Sequence, residues 1–174
     1  MKKILTILAI LFSINAMAQQ HGVDAVYKSV QANNDAYGGM SFADSSSVLG
    51  LTQNNWKHIT NGAGNLFTID TLENMTYSKD SMTVLRPGIY HIDLHFSFSG
   101  TNGDNYEMVV AVNGDNCTNH KVRRKVNNGS VRPISLSGIH SLSVGDDVKV
   151  RVRNIANNND ITLVNGCVNI IKIK

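Results

Sequence analysis

The sequence predicts an all-β domain of the sandwich, jelly-roll or barrel kind. Three observations carry that prediction. From Tyr37 onward the chain is rich in Gly, Asn, Ser and Thr, with short alternating runs between turn dipeptides and no helix-length periodic segment. Residues 84–98, VLRPGIYHIDLHFSF, set a turn at Arg86-Pro87-Gly88 before a long alternating strand. Tyr90, Ile92, Leu94, Phe96 and Phe98 fall on one face, and Ile89, His91, Asp93, His95 and Ser97 on the other. The two prolines, Pro87 and Pro133, stand at turn edges and leave the strands unbroken.

Taken in order, residues 1–18 read as a secretory signal. Lys2 and Lys3 give the charged start, Ile4 to Ile14 the apolar run, and Ala16-Met17-Ala18 the small-residue cleavage site. A membrane anchor is the alternative, but the run is shorter than the ~20 apolar residues that cross a bilayer. Residues 19–36 are a polar leader. Val23, Val26, Tyr27 and Val30 have helical spacing, so the leader is either flexible or one or two helical turns. The domain proper is 37–174, with strands expected at 40–43, 47–50, 56–60, 65–70, 74–78, 81–85, 88–99, 105–113, 118–126, 131–142, 146–154 and 161–173. Asn61-Gly62, Asn102-Gly103, Asn113-Gly114, Asn128-Gly129, Gly145-Asp146 and 157–160 punctuate them.

The formal net charge of the 174-residue chain is +3, and two of those charges, Lys2 and Lys3, belong to the signal. A nearly neutral mature domain argues against nucleic acid as a partner. Lys121, Arg123 and Lys125 share one strand face, either a solvated outer surface or a patch for an anion or glycan. The sequence contains no G-x-S-x-G, H-E-x-x-H or P-loop motif, and Asp70, Glu73, Asp80 and Glu107 are scattered. No enzyme is therefore expected.

The second half of the chain carries linked signatures. Gly88-Ile89-Tyr90 opens the long strand. Tyr106 to Gly114 is a strand ending in an Asn-Gly turn. Ile134-Ser135-Leu136-Ser137-Gly138-Ile139 leads into Leu142-Ser143-Val144-Gly145-Asp146-Asp147-Val148-Lys149-Val150, and Val168 to Ile173 closes the chain. This order resembles the globular head of complement component 1q and the tumour necrosis factor family, over about residues 55–174. Ala36 to Met40 through Trp56 to Thr60 resembles the start of such domains in bacterial exported proteins and phage tips. The resemblance implies a ten-strand jelly-roll β-sandwich that assembles as a homotrimer.

In such trimers the polar face of the long strand packs against sister chains. The resemblance thus implies an interface of His91, Asp93, His95, Ser135, Ser137, Cys167, Asn169, Ile171 and Ile173. His91, Asp93 and His95 are also weak candidates for a metal; the plainer reading is a hydrogen-bonded polar interface. The strand order places Cys117 and Cys167 too far apart to bridge, so two free thiols are expected. Loops 100–105, 127–133 and 154–160 would gather at one apex. They offer Asn102, Asp104, Asn105, Asn128, Arg132, Asn157, Asn158, Asn159 and Asp160 as ligand-binding residues. No cofactor is expected; calcium is a candidate on these oxygen-rich loops, although their spacing matches no calcium-loop motif. The expected protein is a secreted or surface-bound (or periplasmic), non-enzymatic binding or adhesion module. It would recognise a protein or glycan through its apex and have no membrane span after signal cleavage. The alternatives are a monomeric carbohydrate-binding sandwich and a trimerising tip of a fibre.

Overall fold

The computed structural model describes residues 35–61, 65–127 and 130–174. The signal, nearly all of the leader and the Asn128-Gly129 turn lie outside the described residues. Ala36–Lys174 forms a compact unit of twelve strands. These are β1 (Tyr37–Phe42), β2 (Ser47–Leu49), β3 (Lys57–His58), β4 (Thr68–Glu73), β5 (Met75–Ser78), β6 (Ser81–Val84), β7 (Gly88–Gly100), β8 (Asn105–Val112), β9 (Asp115–Lys125), β10 (Arg132–Leu142), β11 (Asp147–Asn154) and β12 (Ile161–Lys172).

The strands form two antiparallel sheets. One runs β10-β7-β12-β1-β4, with β2 beside β12; the other runs β5-β6-β11-β8-β9, with β3 beside β11. Two five-strand paths make the ten strands of a jelly roll, and the short β2 and β3 raise the number to twelve. Between the sheets lies the core, and Tyr90, Ile92, Leu94, Phe96 and Phe98 of β7 are all buried in it, as their alternation predicts. Phe67 meets Phe42 and Phe96 edge-on at one side of the core, with Phe42 and Phe67 centroids 5.0 Å apart.

Three local features explain where the strand boundaries differ from the sequence reading. The expected strand at 65–70 begins instead at Thr68, because the amides of Leu66 and Phe67 donate to the Asp80 carboxylate (3.0 and 2.9 Å) and not to a ladder. The strand expected at 40–43 begins earlier, at Tyr37. Gly38 permits this, since a Cβ there would sit 2.7 Å from Met82 Sδ across the core. The β8–β9 hairpin closes on Asn113-Gly114, both at positive φ, so β9 starts at Asp115 and not at 118.

Candidate functional site: a polar sheet face and a loop end

The outer face of the β7 sheet is assembled by register. Across β10, β7 and β12, Ser135 stands opposite His95 and His95 opposite Cys167. One step along, Ser137, Asp93 and Asn169 are in line, and then Ile139, His91 and Ile171. β1 extends these rows with Ser41, Gly39 and Tyr37. Eight of the nine residues expected at an interface therefore share one face, and Ile173 lies just beyond the end of β12. Tyr37, Gly39, Ser41, Asp70 and Ile139 join them, and the sequence reading missed all five. Ile139 continues the Ser135 and Ser137 alternation and was legible within β10, whereas the other four stand on β1 and β4, and which strands lie side by side is a tertiary fact.

Polar groups on this face are tied together. His91 Nε2 and the Ser137 hydroxyl are 2.8 Å apart, and His91 Nδ1 lies 3.2 Å from Asp93 Oδ2. Ser41 donates to Asp70 at 2.8 Å. Around these polar groups Tyr37, Ile139, Ile171 and Ile173 are exposed, Ile139 by 58%. At one end an open cavity of about 440 Å³ is lined by Ser41, His95, Ser97, Pro133, Ser135 and Cys167, among others. Burial pushes the Cys167 thiol above its ordinary range. Among the described residues no group of three or more His, Cys, Asp or Glu side chains is placed to hold a metal ion. Both cysteines are free thiols, on different sheets.

The second candidate region is the end of the sandwich where loops 100–105 and 154–160 meet. Asp104 is the hub. It is buried and accepts from Asn157 Nδ2 (2.6 Å), Asn154 Nδ2 (3.0 Å), Asn159 Nδ2 (3.0 Å) and the Tyr106 hydroxyl (3.3 Å). Burial pushes this carboxyl up, but the donors from Asn159, Asn157, Asn154 and Tyr106 outweigh it and hold it below its ordinary value. Asp160 accepts from the Leu51 amide and Asn158 from the Gln53 amide, which ties loop 50–55 to the same end. The Gly103 amide donates to the Val126 carbonyl and the Val126 amide to the Asp104 carbonyl, and Arg132 donates to the Asn127 carbonyl at 3.2 Å. Loops 100–105 and 154–160 thus meet through Asp104, and Val126, just before loop 127–133, is bonded to the first of them. Asp104, Asn157 and Asn159, however, point their polar groups at one another. Asn102 is exposed on this end, Asn105 begins β8, and Asn128 is outside the described residues.

Glu107, which looked idle in the sequence, is buried on the outer side of the second sheet. It pairs with Arg123 (2.7 Å), Arg153 (2.7 Å) and Lys121 (3.5 Å), while the Arg153 guanidinium lies 4.5 Å over the Trp56 ring. Burial raises the Glu107 carboxyl, but Arg123, Arg153 and Lys121 prevail and lower it. Lys121 and Arg123 are thus neither solvated surface alone nor an open anion site. Trp56 lies on this outer side of the fold and takes no part in the β7 sheet face.

Two packed antiparallel sheets, with one polar outer face, define a jelly-roll β-sandwich domain. The sequence profile of the tumour necrosis factor (TNF) family matches residues 55–161, more than half of the chain, and the chain belongs to that family. Among solved structures it is similar to murine APRIL at pH 5.0 (12% identity, TM-score 0.54), with 80% of this chain and 99% of that chain covered. It is also similar to Eiger TNF from S. frugiperda (11% identity, TM-score 0.56; 81% and 94% covered). The globular domain of zebrafish complement 1qA protein is a third such structure (10% identity, TM-score 0.53; 80% and 98% covered). At such identities the likeness is one of fold. No curated protein matches the sequence.

Proposed function

We propose that the protein is an exported, homotrimeric binding module that catalyses no reaction and presents three copies of its loop end to a protein or glycan ligand. The observation that carries this reading is the outer face of the β7 sheet. A strip of half-buried His91 and Asp93 and exposed Ser137 and Asn169 runs through exposed Tyr37, Ile139 and Ile171. A mixed surface of that kind is an interface in composition, with apolar area that water disfavours and polar groups that fix register. Sister chains cover it in this reading. Three loop ends then act together, and avidity multiplies a weak single-site affinity. The module needs no cofactor: the Asp104 carboxylate, the strongest candidate for a cation ligand at the loop end, already accepts four side-chain donors.

Sedimentation of the purified protein tests the reading. A mass of three chains is expected, falling to one chain in the double variant Ser137→Arg/Asn169→Arg with an unchanged β-sheet circular dichroism spectrum. A single-chain mass for the unaltered protein at high concentration would overturn it.

A further inference from the structure

Where β9 and β10 meet, the two sheets touch along edges that no ladder joins. β9 is distorted there. Val109 of β8 stands opposite Lys121 but Ala111 opposite Asn116, so residues 117–120 bulge from the pairing. Such bulges re-aim side chains at sheet edges. This one lays His120 over Gly138 of β10, where any Cβ would collide with the imidazole ring. The His120 and His140 rings are 4.1 Å apart at 60°. His120 Nδ1 and His140 Nε2 are both buried without a hydrogen-bond partner. Beside them an open cleft of about 380 Å³ is lined by Asn116, Cys117, Asn119 and Ser141 as well as both histidines.

We infer that His120 and His140 form a binding site for a borderline divalent metal ion, Zn²⁺ in the first instance, which staples the edge of one sheet to the edge of the other. A buried polar atom without a partner costs about 1–3 kcal/mol, and two side by side need an explanation. Each neutral imidazole has one lone-pair nitrogen, and a divalent metal ion is one ligand that two neighbouring imidazoles satisfy together. No Lys or Arg lines the cleft, and Lys121, the nearest cation on β9, is turned to Glu107 on the other side of the sheet. Among the described residues no third His, Cys, Asp or Glu completes a ligand group, although Cys117 lines the cleft, so water fills the remaining positions and the ion is held reversibly.

The test is titration of the chelator-stripped protein with ZnCl₂, followed by calorimetry and by melting temperature. One zinc per chain and a rise in Tm are expected. His120→Gln and His140→Gln should each weaken binding by more than about tenfold, beyond the loss seen when a supporting partner is removed. His91→Gln/His95→Gln should leave binding unchanged. Because a histidine variant could misfold, the imidazole NMR signals of the unaltered protein provide the second measurement, and zinc should move those of His120 and His140. No heat and no Tm rise, undiminished binding in either glutamine variant, or signals moving only at other histidines would each overturn the assignment.

Discussion

Replacing Asp104 by Ala removes one carboxylate and four side-chain acceptor contacts. Hydrogen bonds to a charged group contribute about 1.5–3 kcal/mol each, but contributions within one network do not add. The structure says how far they fall short. Asn154 Nδ2 keeps the Asn157 side-chain oxygen (2.8 Å) and the Asn159 carbonyl (3.2 Å), and the Tyr106 hydroxyl keeps the Asp160 carbonyl (2.9 Å). Asn157 and Asn159 are half-exposed and can turn to water. The full cost therefore falls on neither buried donor, and a loss of about 3 kcal/mol is expected, near two hydrogen bonds' worth. For a domain of this size that lowers Tm by about 10 °C. Asp104→Asn keeps the shape but turns an amide toward donors, so it should lose at least as much. Urea denaturation and calorimetry measure both. A loss below about 0.5 kcal/mol in either variant, the level of an ordinary surface substitution, would refute the view that Asp104 holds the loop end together.

Glu107→Gln should cost about 2 kcal/mol in the same assays. A buried pair broken from one side costs about 3–5, but Arg123 and Lys121 are partly exposed and solvent takes up part of the loss. Asp104 and Glu107 both have carboxyls held below their ordinary values. Their contribution is therefore complete above the unfolded-state values near 4 and disappears as pH falls through the lower folded ones. A Tm series from neutral to acid should show that loss, and it should be shallower in Glu107→Gln. Tyr77 and Tyr106 are each pushed up to about 12, by burial first and then by Asp80 and Asp104 respectively, and burial also raises Tyr90, so phenolate absorbance on alkaline titration should show three tyrosines ionising late. Gly166→Ala would put a Cβ 2.5 Å from the Phe42 ring and 2.6 Å from the Phe96 ring. A loss of about 1–3 kcal/mol from overpacking should follow in urea.

What the sequence revealed divides along a physical line. Every expected strand is present, because period-2 alternation and Gly/Asn turn chemistry act within a few residues. Polar partnerships were not legible. Asp80 sits in the Lys79-Asp80 turn, both residues at positive φ, and spends its carboxylate on the amides of Leu66 and Phe67 and on the Tyr77 hydroxyl. Nothing near residue 80 announces partners at 66 and 67. His120 and His140 look unremarkable on separate strands until β9 and β10 are brought edge to edge. Gly138 was the one local trace of that meeting, since a glycine within a long strand signals close approach by something. The polar face of β7 was visible from its own alternation, whereas its continuation onto Gly39 and Ser41 needed the pairing of β12 with β1.

The loop end illustrates why contact and support have to be separated when a ligand is sought. Its carboxamides and carboxylates are the chemistry expected of a glycan or protein site, yet Asp104, Asn154, Asn157 and Asn159 are bonded to one another. Substituting any of them changes the shape of the loops whether or not a ligand touches that residue, so lost binding in an Asp104 variant identifies a scaffold and not a contact. A contact residue is one whose replacement lowers affinity while Tm stays where it was. If the loops act as shaped backbone, affinity across variants of this network should track their stability. A ligand read by the carboxamides themselves would break that correlation at the residues it touches, and those residues are then the site.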